Sequence, residues 1–126
     1  MKRGFTLIEV LIVVVVIGIL ATIAIPKFSS MRSKSYVAAV TSDLKNVASQ
    51  QEVYLSDQNV YASDVTNLDM TLTDAVSVTI TEGDGRGWAA TATHSGLSGR
   101  QCGIYFGTAS AANGSPATNP GTVTCN

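Results

Sequence analysis

From Phe5 to Ile25 the chain is apolar at every position except Thr6, Glu9, Gly18 and Thr22. About 20 such residues in a helix span roughly 30 Å of hydrocarbon, so the pattern predicts a helix long enough to cross a bilayer. Pro26 follows, where a missing N–H normally ends or kinks a helix, and Gly18 lowers helix propensity shortly before it. Yet Val37, Val40, Leu44, Val47 and Tyr54 recur at three- and four-residue steps, with Gln51 standing where one apolar position would fall. That period predicts one long helix from about Phe5 to about Leu55, bent near Pro26. Its second half is amphipathic: the stripe should meet a sheet, while Arg32, Lys34, Asp43, Lys45 and Glu52 take solvated positions or contact other chains.

The period lapses from Ser56 to Asp74, which reads as a connecting loop with apolar anchors. Val76, Val78 and Ile80 then alternate with Ser77, Thr79 and Thr81, and after the glycine-rich turn Glu82–Gly87 the alternation returns from Trp88 to Thr93. This predicts a hairpin, with small Ala residues opposite Val and Ile letting the sheet lie close to the helix and Trp88 filling the end. Cys102, Ile104 and Phe106 give a third strand, and Thr122 to Cys125 a short last one. The stretch between them, Gly107 to Gly121, has no apolar period. The fold class predicted is α+β.

Charge changes the picture at the N-terminus. Lys2 and Arg3 directly precede the apolar run, so the positive-inside tendency keeps the extreme N-terminus in the cytoplasm and sends the residues after Pro26 outward. Glu9 is a carboxylate inside the run, and acidic residues at mid-membrane cost roughly 2.5–3.5 kcal/mol. No residue of the run supplies a cation to offset it. A secretory signal peptide would close on small residues, whereas Ile23-Ala-Ile25 is followed by Pro26 and Lys27. A cut between Gly4 and Phe5 instead removes a short basic leader and leaves a free amine on Phe5. Residues i and i+4 share a helix face, so that amine is near its own Glu9 and equally near the Glu9 of a neighbouring helix shifted by about one turn. The carboxylate then rewards one axial register between packed chains.

Gly4 followed by Phe5-Thr-Leu-Ile-Glu9, the long apolar helix and Pro26 resembles the prepilin signature of type IV pilins and of the pseudopilins of type II secretion. The match covers roughly Lys2 to Phe28, and the remainder agrees in layout. The resemblance implies a leader at 1–4, an assembly helix at 5–28 and a head at 29–126. It implies cleavage after Gly4 by a prepilin peptidase, N-methylation of Phe5, and a homopolymer in which Glu9 answers a neighbour's N-terminus. In the resembled family the stretch from Gly18 to Pro26 can lose helical bonding inside the filament, a static kink being the alternative; the resemblance also implies a surface-exposed helix-to-sheet link and a C-terminal disulfide loop closed by Cys102 and Cys125. The precursor would sit in inner-membrane lipid and pass through an assembly platform into an extracellular pilus. A separate motor ATPase would drive extraction, since the chain has no phosphate-binding loop. The function implied is a structural pilus subunit; a type II secretion pseudopilin, or a minor pilin whose head binds a ligand such as DNA, are the alternatives.

A chain of 126 residues allows one globular domain beyond the apolar run. Removing Lys2 and Arg3 from the eight basic residues leaves six against nine acidic ones, a charge of −3. That balance argues against a nucleic-acid surface, which needs clustered Lys and Arg. Both cysteines, Cys102 and Cys125, lie in the part predicted to be exported. An even number in an oxidising compartment reads as a disulfide, with free or metal-binding thiols as the alternative.

No catalytic constellation stands out, and neither a cofactor nor a metal is expected. His94 has serines nearby but no spacing that defines a nucleophile and base. Asp74, Glu82 and Asp84 lack the alternating oxygens and distant Glu of a calcium loop. Asn113-Gly-Ser115 matches a glycosylation acceptor, with Pro116 directly after it counting against use. The aromatic residues of the long helix, Phe5, Phe28, Tyr36 and Tyr54, read as packing.

Overall fold

The computed structural model describes residues 1, 4–109 and 115–126. Lys2 and Arg3, and Asn113-Gly114 of the glycosylation acceptor, lie outside the described residues. The chain divides into two compact units, Met1–Ser33 and Lys34–Asn126. One helix, α1 (Leu7–Gln58), contributes to both.

In the first unit the helix passes through Gly18 and Pro26 without interruption. Pro26 removes the donor that Thr22's carbonyl would receive. Hydroxyls on either side bond back to the helix: Thr22 Oγ1 donates to the Ile19 carbonyl at 2.7 Å and Ser30 Oγ to that of Lys27 at 2.9 Å. The apolar side chains of this unit are exposed on every face, from Leu7 at 91% to Ile25 at 70%. A helix that is apolar all round needs lipid or protein around it.

In the second unit α1 buries Val40, Leu44 and Val47, on the predicted stripe, and ends at Gln58. Asn59 takes the left-handed conformation (φ 59°) that asparagine tolerates at a helix end. The helix runs three residues past the predicted boundary, and the Asn59 N–H still donates to the Leu55 carbonyl at 2.8 Å. The link also contains a short 3-10 helix, Val65–Asn67, capped by Asp64. The Thr66 N–H, then its hydroxyl, hold the Asp64 carboxyl below its ordinary range.

Four antiparallel strands follow in the order β1 (Val76–Gly83), β2 (Gly87–His94), β3 (Cys102–Gly107) and β4 (Thr124–Cys125). Val78 pairs with Ala92 and Ile80 with Ala90, and on the other side Ala90 pairs with Ile104. Ala90 thus lies between large residues on both neighbours, and Ala92 between Val78 and Cys102, with Ala opposite Val and Ile as the alternation predicts. They share one core with Val40, Leu44, Val47 and Trp88. Complete burial of a Leu or Val contributes about 1.5–3 kcal/mol. In the hairpin turn, Asp84 Oδ1 accepts from the Arg86 and Gly87 N–H groups at 2.6 and 2.9 Å. Phe106 departs from its strand pattern and is 44% exposed at the end of β3.

Two buried polar side chains on α1 hold the link. Asp43, predicted to be solvated or in contact with another chain, is 2% exposed; its carboxylate accepts from the Thr73 N–H at 2.8 Å and hydroxyl at 2.9 Å. Gln51 is fully buried, donating to the Ala62 carbonyl at 2.9 Å and accepting from the Ala62 N–H at 2.8 Å. Periodicity puts Gln51 on the buried stripe but names no partner for either residue, because both partners lie in an irregular segment. Gly83 passes close to this point, where a Cβ would overlap the Ala62 backbone. Gln51→Leu is expected to leave the two Ala62 groups buried and unpaired, lowering head stability by about 3 kcal/mol. Denaturant unfolding of the full chain in detergent, followed through Trp88, checks this; an unchanged midpoint would contradict it.

Cys102 and Cys125 are joined in a disulfide with Cα atoms 4.0 Å apart, linking directly paired residues of β3 and β4. β4 has only two residues, shorter than the predicted Thr122 to Cys125 because ladder bonds form only beside the bridge. Cys102→Ser with Cys125→Ser is expected to reduce stability by about 3 kcal/mol in the loop-entropy picture. The same unfolding measurement reads it, and reductant should move the wild type to the position of the double variant.

Candidate functional site

Gly4, Phe5 and Thr6 precede the helix, and Glu9 is in its first turn. Thr6 is the N-cap. Its N–H donates to Glu9 Oε2 at 2.8 Å and its hydroxyl donates to the same oxygen at 2.7 Å. The Glu9 N–H returns to Thr6 Oγ1 at 3.4 Å, a long contact. Thr6-x-x-Glu9 is therefore a capping box: a side chain three residues into the helix satisfies the donors that the first turn leaves free. The positive end of the helix dipole also favours a carboxylate here.

Glu9 thus has a hydrogen-bonding partner within its own chain, although no residue of the run supplies it with a cation. The sequence signal was present, since Ser or Thr followed three residues later by Glu before an apolar run marks a helix start.

The box fixes where helical geometry begins, and so leaves the Gly4–Phe5 peptide outside it. Phe5 is 85% exposed, and a Cβ built on Gly4 meets no atom within 4 Å. Gly4, Phe5, Thr6 and Glu9 border a surface hollow of about 620 Å³. Among the described residues, this bond is therefore exposed. Gly18 is equally open, with no atom within 4 Å of an added Cβ, so close packing inside this chain does not require a glycine there.

The family description "Prokaryotic N-terminal methylation motif" matches residues 1–25, which hold this capping box and most of the apolar run. The chain carries that motif. It is similar to the type IV major pilin protein PilA of Myxococcus xanthus, with 45% identity over 61 residues, 48% of this chain and 28% of the relative. It is similar to the type IV wide pilus major component PilA4 of Thermus thermophilus, with 43% identity over 48% of this chain and 47% of the relative. The type II secretion system core protein G of Pseudomonas aeruginosa is 37% identical over 49% of this chain and 44% of its own length. The matched stretch thus spans less than half the length of each of these relatives.

Outside the methylation-motif segment, polar groups singled out in the sequence have structural partners. His94 stacks on Tyr36 with ring centroids 4.1 Å apart, and its Nδ1 accepts from the Gly96 N–H at 2.9 Å. Glu52 accepts from the Tyr61 hydroxyl at 3.1 Å. Burial, then that hydrogen bond and the Glu52 charge, push the Tyr61 phenol above its ordinary value. These groups hold the head together, and none of these contacts joins a nucleophile to a base.

Proposed function

We propose that this protein is a structural subunit of a type IV pilus, stored in the inner membrane with its N-terminus in the cytoplasm and polymerised through the first half of α1. The methylation motif joined to an apolar helix exposed on every face carries this reading. A prepilin peptidase cleaves after Gly4 and Phe5 becomes N-methylated. In the membrane, lipid covers the helix and the capping box holds Glu9; in the filament, neighbouring helices replace the lipid and a neighbour's Phe5 amine meets Glu9. Lipid tails are as apolar as the side chains they cover, so assembly gains little from transfer and more from packing and this pairing. Gly18 and Pro26 mark the stretch where helical bonding yields most readily. An assembly platform and a motor ATPase supply the work of extraction.

The similarity to core protein G supports a second reading, a pseudopilin of type II secretion. The intact mass of the mature protein tests the shared part, since cleavage, methylation and the disulfide each shift it. Surface filaments composed chiefly of this chain support the pilus reading. A requirement for protein secretion without surface filaments supports the pseudopilin.

A further inference from the structure

Where the apolar run of α1 gives way to polar residues, Ala24, Ile25, Phe28, Ser29 and Arg32 line one groove of about 380 Å³. These positions stand at i, i+1, i+4, i+5 and i+8, on a single face of the helix. Chemistry divides along that face: Ile25 and Phe28 are 70% and 67% exposed, and Ser29 and Arg32 are the polar positions beyond them. The hydroxyls of Ser30 and Ser33 bond to the carbonyls of Lys27 and Ser29. Among the described residues, Ser29 Oγ and the Arg32 guanidinium have no hydrogen bond or ion pair. No carboxylate occurs in the sequence between Glu9 and Asp43, so this stretch provides no acid to neutralise Arg32.

We propose that the groove holds one anionic phospholipid, with acyl chain against Ala24, Ile25 and Phe28 and phosphate on Ser29 Oγ and Arg32. The inference rests on the membrane-stored precursor proposed above. An apolar strip capped by a cation and a hydroxyl is complementary to a molecule with a tail and a phosphate. Guanidinium binds phosphate through paired donors, and a neutral headgroup brings no net negative charge to it. Seven residues separate Ile25 from Arg32, about 10 Å along the axis, which carries the cation from the hydrocarbon edge into the headgroup layer. A free phosphate ion would leave Ile25 and Phe28 uncovered.

The test uses the full chain in phosphatidylcholine vesicles containing a minor share of phosphatidylglycerol, first floated with the vesicles and then released for native mass spectrometry. The wild type is expected to float and to retain one phosphatidylglycerol. Arg32→Gln should reduce retention about tenfold, the loss of one charge-assisted hydrogen bond. Lys27→Gln serves as the control, because Lys27 is the preceding cation on the same helix but lies about 140° round it from Arg32, and it should retain the lipid. Unchanged retention in Arg32→Gln overturns the site, and an equal loss in both variants overturns it in favour of diffuse charge attraction. Protein that fails to float at all overturns the membrane-stored reading and the site with it; protein that floats without lipid preference overturns the site alone.

Discussion

Glu9→Val is expected to leave the chain inserted and cleaved but to cut filament yield roughly tenfold or more. Two losses contribute, and their sizes differ. The capping box with Thr6 goes, which costs about 1 kcal/mol of helix stability. The proposed pairing with a neighbour's amine also goes, and unit charges about 4 Å apart attract by roughly 4 kcal/mol at an effective dielectric near 20. Thr6→Val separates them: it removes the capping hydroxyl and keeps the carboxylate, so yield should fall far less. The measurements are cleavage by mass and sheared filaments by electron microscopy and gel. Normal filaments from Glu9→Val would remove the register argument, and equal failure of both variants would transfer the effect to the cap.

Gly4→Leu should leave nearly all of the protein uncleaved in the membrane, a fall of about tenfold or more in the mature fraction. Nothing in the chain itself opposes the new side chain, since an added Cβ at Gly4 has no neighbour within 4 Å and Gly4 precedes the helix. The block would therefore come from a close approach of the proposed peptidase to the backbone, as glycine permits. Mass spectrometry should find the first four residues still attached. Mature protein at wild-type abundance would show that the cut lies elsewhere.

Much of the architecture was legible because it follows simple periods. The 3- and 4-residue spacing of Val40, Leu44 and Val47 locates the buried helix face, and the two-residue alternation after Val76 locates β1 and β2. What periods miss is polar burial. Asp43 looks like a solvent-facing residue, and Gln51 like a gap in the apolar stripe, until the link from Asn59 to Ala75 brings Thr73 and Ala62 against them. Glu9 shows the same limit: in an apolar period Thr6 is only an interruption, although it is the capping partner. Phe106 shows the converse: alternation continued along β3, while cover from the core did not extend to its last residues.

The bridge between β3 and β4 also governs how the head carries tension. A two-residue strand held by hydrogen bonds alone would peel away under a steady pull on its end. Here a load applied beyond Cys125 passes through sulfur to Cys102 and into the interior of the sheet. Its failure under force is then set by the strength of a covalent rung and the redox state of its surroundings, and a reductant would turn a taut fastening into a loose end.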